Sequence, residues 1–186
     1  MKDKINIEAV ETVLAKAEQL CSEREVNQAL DDMAASISLK LQHQYPLCLS
    51  VMLGGLIPTG QLIPKLNFPL ELDYLHATRY RDTTQGGSLQ WKKQPAIELT
   101  DRSILIIDDI LDEGLTLQAI VEYCYHAGAK EVLTAVLVEK IHDRRQGLPH
   151  ADFTGLTVPD RYVFGCGMDY QGQLRYIPAI YAVHGL

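Results

Sequence analysis

Four acids and a glycine-threonine pair fall within nine residues, in the segment Asp108-Asp109-Ile110-Leu111-Asp112-Glu113-Gly114-Leu115-Thr116. The segment follows the largely apolar run 103–107, which predicts a buried parallel strand, and it opens a predicted helix that ends near residue 127. Carboxylates that follow a strand can hold sugar hydroxyls or a hydrated metal ion. The backbone amides of residues 112–116 can hold a phosphate at the positive end of the helix. Together these groups suit a phosphorylated sugar; an ordinary strand-to-helix turn with a solvated acidic loop is the alternative.

The order of residues in this segment resembles the 5-phosphoribosyl pyrophosphate (PRPP) signature of the type I phosphoribosyltransferases. The third acid, Asp112, resembles the one found in the purine salvage branch, the hypoxanthine-guanine phosphoribosyltransferases. The resemblance implies that Asp108 and Asp109 lie beside the ribose 2′- and 3′-hydroxyls, directly or through water on Mg²⁺. It also implies that Asp112 faces N7 of the base as general acid or base. An exposed acid that stabilises the start of a helix is the alternative for Asp112.

The remaining residues of the segment are expected to bind the 5′-phosphate of PRPP. Gly114 allows the backbone to approach the phosphate closely, Thr116 offers a hydroxyl, and Leu115 lies between them. Glu113 departs from the family pattern, because Thr or Ser is commoner at this position. One hydroxyl is thereby lost and an anion is added. The Glu113 side chain must point away from a bound phosphate, and weaker PRPP affinity is the expected effect.

Two further segments resemble the pyrophosphate side of these enzymes. Leu53-Gly54-Gly55 resembles the pyrophosphate loop, in which the peptide is often cis and backbone amides contact the ligand; Leu53 replaces a lysine found in many purine salvage members. A simple glycine turn is the alternative. Arg79-Tyr80, with the polar residues that follow, resembles the flexible lid that excludes water from the site, and a surface hairpin is the alternative.

The C-terminal region resembles the purine-binding segment of the same family. Tyr162 matches the ring that stacks on the base, and Val163 the residue whose backbone reads the base edge. Asp169 matches an acid near a second metal ion and the purine 2-position, and Arg175 matches a pyrophosphate-binding arginine. Lys140 resembles the lysine that donates to the purine 6-oxo group, a contact that adenine cannot accept. An exposed lysine at a strand end is the alternative.

Alternating strand and helix patterns position these groups. Residues 6–44 are predicted to be two helices with a break at 22–27, and strands are expected at 48–53, 70–79, 103–107, 132–138, 162–164 and 177–183. This order predicts an α/β fold of the type I phosphoribosyltransferase kind, a central mostly parallel sheet flanked by helices. We expect one domain over 1–186, with a core at about 46–155 and a small hood lobe from about 1–45 and 156–186.

Composition narrows the classes of partner. The formal charge of −7 disfavours nucleic acid and anionic membranes, both of which require a basic surface. No apolar run reaches the roughly 20 residues of a membrane span, and there is no signal-peptide pattern, so a cytoplasmic enzyme is expected. The four scattered cysteines indicate reduced thiols rather than disulfides or a metal site.

The resemblance predicts purine salvage: hypoxanthine or guanine and PRPP give IMP or GMP and pyrophosphate, with Mg²⁺ as the cofactor. It also implies a homodimer or homotetramer. A transferase that prefers xanthine is one alternative. A PRPP- or nucleotide-sensing regulatory protein with weak turnover is the other, and Glu113 and Leu53 favour it.

Overall fold

A computed structural model of the chain describes residues 7–79 and 89–185. Its main feature is a six-stranded sheet with the strand order β4-β3-β2-β5-β6-β7, in which every neighbouring pair is parallel except β3 and β4. The strands are β2 (Leu47–Val51), β3 (Glu71–Arg79), β4 (Leu89–Lys93), β5 (Ser103–Leu111), β6 (Glu131–Ile141) and β7 (Phe153–Pro159). The predicted mostly parallel sheet is confirmed. Neither β4 nor β7 was predicted.

Side chains of the central strands alternate between two apolar layers, as the period of a strand requires. Leu105 and Ile107 pack on one face with helices α2 (Glu23–Leu41) and α3 (Leu56–Leu62), and a 3₁₀ turn (Ile63–Lys65) follows α3. Ile104 and Ile106 pack on the other face with α4 (Leu115–His126). The sheet is therefore covered on both faces, which explains why its central strands are continuous apolar runs.

The N-terminal region differs from the prediction of two helices separated at 22–27. Helix α1 (Ile7–Lys16) is followed by a short strand, β1 (Glu18–Cys21), and α2 begins at Glu23. Ser22 caps α2 by accepting a hydrogen bond from the Glu25 backbone, while the Glu25 side chain accepts one from the Ser22 backbone. This capping box starts the helix earlier than periodicity indicated. The four residues of β1 are too few for a periodic signal.

A second, three-stranded sheet joins the two termini, with the order β1-β9-β8 and antiparallel pairing. Its other strands are β8 (Val163–Phe164) and β9 (Ile180–Ala182), and α1 packs against it. The larger sheet includes β7 to Pro159, beyond the expected end of the core near 155, and α2 packs on the larger sheet. The single domain over 1–186 stays a prediction.

Strand β5 is longer than predicted, and this changes the position of the two acids. Backbone pairing with β6 continues from Ser103 to Leu111, so Asp108 and Asp109 lie within the strand rather than after it. A carboxylate side chain does not interrupt the backbone hydrogen bonds of a strand. The strand therefore continues past residue 107, although the first polar residues after it predicted an end there. Among the described residues, no helix is long and apolar enough to cross a membrane.

Candidate active site

An open cleft of about 820 Å³ lies at the C-terminal edge of the large sheet. In parallel α/β sheets this edge is where ligands bind. Three parts of the chain form most of the lining: the end of β5, the loop 112–116 that enters α4, and the turn after β2. Lining residues are Val51, Met52, Gly54, Ala77, Arg144, Arg175 and all residues from Asp108 to Leu117.

The loop before α4 has the geometry of an anion site. Gly114 precedes the helix with φ +81°, a left-handed conformation that glycine adopts without steric cost, and an added Cβ would lie 2.5 Å from the Leu148 carbonyl oxygen. The Gln146 and Gly147 amides donate to the Glu113 carbonyl at 3.1 and 2.9 Å, which fixes the loop from outside. The cap residue offers no side-chain oxygen and the first turn of α4 has no acid, so its amides suit an external anion.

The two β5 acids lie against the glycine turn after β2. A Cβ at Gly54 would lie 2.0 Å from Asp109 Oδ2, so only glycine fits beside this carboxylate. The Asp109 amide donates to Asp108 Oδ1 at 2.9 Å. Burial raises the pKa of both carboxyl groups, and the charge of Asp109 raises the pKa of Asp108 further. The ionised forms of both carboxyl groups are therefore disfavoured in the ligand-free cleft.

Arg175 connects this pair with the C-terminal region. Its guanidinium donates to Asp169 Oδ1 and to the Gly167 carbonyl, both at 2.5 Å, and lies 4.0 Å from Asp109 Oδ2. Gly167 itself touches the turn after β2, because an added Cβ would lie 2.1 Å from the Gly54 carbonyl oxygen. The structure thus brings Asp109, Gly54, Asp169 and Arg175 together, although they are distant in the sequence.

The turn after β2 contains a cis peptide bond between Met52 and Leu53, as the resemblance implied. Met52 and Gly54 line the cleft, whereas the Leu53 side chain is exposed. Gly55 is buried, and its amide donates to the Val51 carbonyl at 2.8 Å. Arg79 ends β3; its side chain and Tyr80 lie outside the described part of the chain.

Asp112 is held by three basic side chains. Lys140 Nζ donates to Asp112 Oδ2 at 3.0 Å, while His142 Nε2 and Arg144 Nη2 contact Asp112 Oδ1 at 2.9 and 2.7 Å. Partial burial would raise the pKa of Asp112, but the hydrogen bonds and charges of Lys140 and its neighbours outweigh burial and lower it. Asp112 is therefore ionised, and it can accept a proton.

Lys140 lies within β6 and is buried. Besides Asp112 it lies 3.8 Å from Asp160 Oδ1. A buried ammonium that is fixed by two carboxylates differs from the exposed strand-end lysine considered as the alternative.

Arg144, His142 and Asp160 are site residues that the sequence interpretation missed. Arg144 forms a two-point contact with Asp160 at 2.6 and 2.9 Å, and its hydrogen bond lowers the pKa of Asp160 to about 2. Arg144 Nη1 also contacts Glu113 Oε1 at 3.3 Å. The carboxylate of Glu113, the residue that departs from the family pattern, is therefore paired with Arg144. The available signal was the basic pair Arg144-Arg145 shortly after Lys140, but sequence spacing does not show which loop that pair meets.

The predicted purine-binding residues lie at different depths. Val163 is buried and pairs with Ala182 in the small sheet, and Tyr162 is 41% exposed with its ring edge-on to Tyr170. Among the described residues, neither Tyr162 nor Val163 lines the main cleft. Asp160, two residues earlier, connects this segment with Lys140 and Arg144.

Asp112, His142 and Asp160 also have ligand atoms within 4.8 Å of one another, a spacing that a metal ion could bridge. Lys140 already neutralises Asp112 and Arg144 neutralises Asp160, so little negative charge remains there to bind a metal ion. Asp108 and Asp109 fit a divalent metal ion better, because both carboxylates line the cleft. Among the described ion pairs, the basic side chain nearest to Asp109 is Arg175, at 4.0 Å.

Comparison with known proteins assigns the chain and its fold to one class. Residues 16–171 match the phosphoribosyl transferase domain. The hypoxanthine-guanine phosphoribosyltransferase of Bacillus subtilis is 33% identical over 162 residues, which cover 87% of this chain and 89% of the relative. The corresponding Staphylococcus epidermidis enzyme is 27% identical over 87% of this chain and 90% of its own. A crystal structure of a Staphylococcus aureus hypoxanthine phosphoribosyltransferase superimposes with a TM-score of 0.85 at 24% identity, covering 97% of this chain and 96% of the other.

The chain therefore belongs to the phosphoribosyltransferase family and has the type I fold. This confirms the family that the segment 108–116 predicted and the fold class that the order of strands and helices predicted.

Proposed function

We propose that the protein transfers the 5-phosphoribosyl group of PRPP to hypoxanthine or guanine, giving IMP or GMP and pyrophosphate. The observation that carries the proposal is the position of Asp112: an ionised carboxylate between the phosphate-binding loop and a buried lysine. A proton acceptor and a fixed donor, placed side by side next to a sugar-phosphate site, suit an oxopurine. The Bacillus subtilis relative, a hypoxanthine-guanine phosphoribosyltransferase, agrees with this substrate class.

The sugar phosphate is bound by the loop between β5 and α4. The 5′-phosphate lies against the amides of Glu113, Gly114, Leu115 and Thr116, at the positive end of α4, and the Thr116 hydroxyl donates to it. The preformed left-handed Gly114 and the support from residues 146–148 favour this role. Asp108 and Asp109 hold the ribose hydroxyls.

On the purine side, binding requires an exchange of partners. In the free site Lys140 donates to Asp112 Oδ2. A 6-oxopurine offers its oxygen to Lys140 and its N7 proton to the Asp112 carboxylate. Each group gives up one bond and gains another, so neither charge is left unpaired when water leaves the site. Tyr162 stacks on the base and the Val163 backbone reads its edge.

The pyrophosphate leaves on the opposite side of the ribose. Gly54 and Gly55 allow the turn after β2 to approach it, with Leu53 in place of a lysine, and Arg175 supplies a fork of donors. Arg79 and Tyr80 belong to the proposed lid. Mg²⁺ is the proposed cofactor, with Asp108 and Asp109 on one side and Asp169 on the other; when bound it neutralises the leaving pyrophosphate. The cleft carboxylates, which have few cationic neighbours, support this choice.

The enzyme is proposed to act as a homodimer or homotetramer. Supporting the proposal, Leu53, Leu56, Leu72 and Tyr74 are exposed apolar side chains on and beside α3 and β3. A cytoplasmic location is proposed as well, and the four buried free thiols agree with a reducing compartment.

Two alternatives keep the same fold: a xanthine-preferring transferase, and a PRPP or nucleotide sensor with weak turnover. An ultraviolet assay with PRPP, Mg²⁺ and each purine base separates all three. Activity on hypoxanthine or guanine supports the proposal, activity on xanthine alone replaces its specificity, and tight ligand binding without pyrophosphate release identifies a sensor.

The role of Asp112 has its own test. Asp112→Asn keeps the shape of the side chain but removes the proton acceptor, so turnover is expected to fall by about 10²–10⁴-fold while GMP still binds. Near-normal turnover in this variant would remove Asp112 from the mechanism.

A further inference from the structure

His142 is an imidazole beside the active site that no part of the family resemblance explains. Its side chain is only 4% exposed, and its Nε2 lies 2.9 Å from Asp112 Oδ1. The chain brings it there through the turn after β6, two residues beyond Lys140. Because this buried ring contacts the proposed proton acceptor directly, it can influence the chemistry of Asp112.

The hydrogen bonds of the ring determine its tautomer. The Arg144 backbone amide donates to His142 Nδ1 at 3.3 Å, so Nδ1 carries a lone pair. The ring proton is therefore on Nε2, and Nε2–H donates to the Asp112 carboxylate. Because one nitrogen accepts from a backbone amide and the other already bears its proton, the ring has no free position for a proton from Asp112.

The three donors on Asp112 are not equivalent. Lys140 is shared with Asp160 and, in the proposed reaction, moves to the purine oxygen. Arg144 is 40% exposed and also contacts Glu113 and Asp160. Among the described contacts, the Nε2–H of His142 donates to Asp112 alone, from a position that is nearly closed to solvent.

From this geometry we infer that His142 is a positioning residue: its neutral Nε2–H holds Asp112 Oδ1, so that Oδ2 is presented to N7 of the purine when Lys140 leaves. The inference rests on the proposed role of Asp112 and adds a residue to it. Holding one oxygen fixes the rotation of the carboxylate, and small errors in such alignment are costly in rate. The hydrogen bond also favours the ionised form of Asp112, which agrees with its lowered pKa.

A pair of amide substitutions tests the inference. In His142→Gln the side-chain amide reaches about as far as Nε2 and can donate to Asp112; in His142→Asn it ends near the position of Nδ1 and cannot. We expect His142→Asn to lower kcat about tenfold or more, with the KM for PRPP within about twofold of wild type, and His142→Gln to stay within about threefold of wild type in both. A role of His142 in folding alone would lower the kcat of both variants to the same extent.

Nitrogen NMR of the imidazole provides the second measurement. The signal that disappears in the His142→Gln spectrum is expected to show a protonated Nε2 and an unprotonated Nδ1 near neutral pH. Equal kcat values for the Gln and Asn variants, or a protonated Nδ1 in the wild-type ring, would overturn the inference. Asp112→Asn is measured alongside: if it retains turnover, the proposed function of Asp112 fails, whereas a large loss there with no difference between Gln and Asn at 142 rejects the His142 role only.

Discussion

The Asp109 carboxylate lies directly against the α-carbon of Gly54, and a Cβ at Gly54 would be 2.0 Å from Asp109 Oδ2. This contact joins the proposed pyrophosphate turn to the proposed ribose-binding strand. A larger residue at position 54 would have to displace this carboxylate, so the two halves of the proposed PRPP site share one packing constraint.

Substitution of Gly54 should therefore damage both stability and ligand binding. We expect Gly54→Ala to reduce the free energy of unfolding by about 1–3 kcal/mol, because the methyl group displaces a buried carboxylate, and to weaken PRPP binding. Urea unfolding and calorimetry with PRPP measure the two effects. Gly60→Ala is the matched control: a Cβ at this helical position meets nothing within 4 Å, so the free energy of unfolding is expected to rise by about 0.4–1 kcal/mol. Equal changes in the free energy of unfolding for Gly54→Ala and Gly60→Ala would contradict the packing argument.

Glu113 should weaken the binding of phosphate-bearing ligands. Removing its charge also releases Arg144, which lines the same cleft, from one of its three carboxylate partners. We expect Glu113→Gln to lower the Kd for GMP by about threefold to tenfold, an effect of the size expected for one partly screened charge. Glu113→Thr, which also adds a hydroxyl, should bind at least as tightly.

Glu122→Gln is the control for Glu113, since it removes one exposed acid from the far half of α4. It should leave GMP binding unchanged. Weaker or unchanged binding in Glu113→Gln would show that the acid is neutral or helpful to the phosphate site.

Asp108 should destabilise the ligand-free protein as the pH rises. Its pKa is raised above the ordinary value by burial and by the neighbouring Asp109, so ionisation is easier in the unfolded chain than in the folded one. The penalty is absent at pH values below the ordinary pKa of an aspartate, develops as the pH rises towards the folded-state pKa, and is complete above it. Asp108→Asn removes the ionisation but keeps an oxygen for the Asp109 amide.

In EDTA, the Tm of Asp108→Asn should exceed that of wild type by an amount that grows from about pH 4 upward, roughly 2–4 °C for each kcal/mol. The gain in stability should come with a loss of PRPP turnover. Asp32→Asn, an exposed acid on α2, serves as the control and should show no growing difference. A Tm difference for Asp108→Asn that shrinks with pH would mean that the folded state favours the ionised form.

Local patterns predicted much of this protein because they reflect local physics. The apolar runs that became β2, β5 and β6 were readable because both faces of these strands are covered. The end of α4 near residue 127 was predictable because glycine favours the left-handed conformation that ends a helix, and Gly128 has this conformation. Strand ends were harder to predict. β5 continues through Asp108 and Asp109 because its hydrogen bonds with β6 are made by backbone groups, whose pairing cannot be predicted from side-chain polarity.

The sequence by itself determined the α/β order and the family and predicted a phosphate-binding loop bordered by acids, since each depends on residues adjacent in the chain. Only the tertiary structure decided what surrounds Asp112. His142 and Arg144 reach it because parallel pairing of β5 and β6 brings the loop after β6 beside the loop after β5. Likewise Arg175 meets Asp109 only because the C-terminal region folds back to the Gly54 turn. Contacts of this kind depend on distances in space between segments far apart in sequence, and spacing along one chain does not encode them.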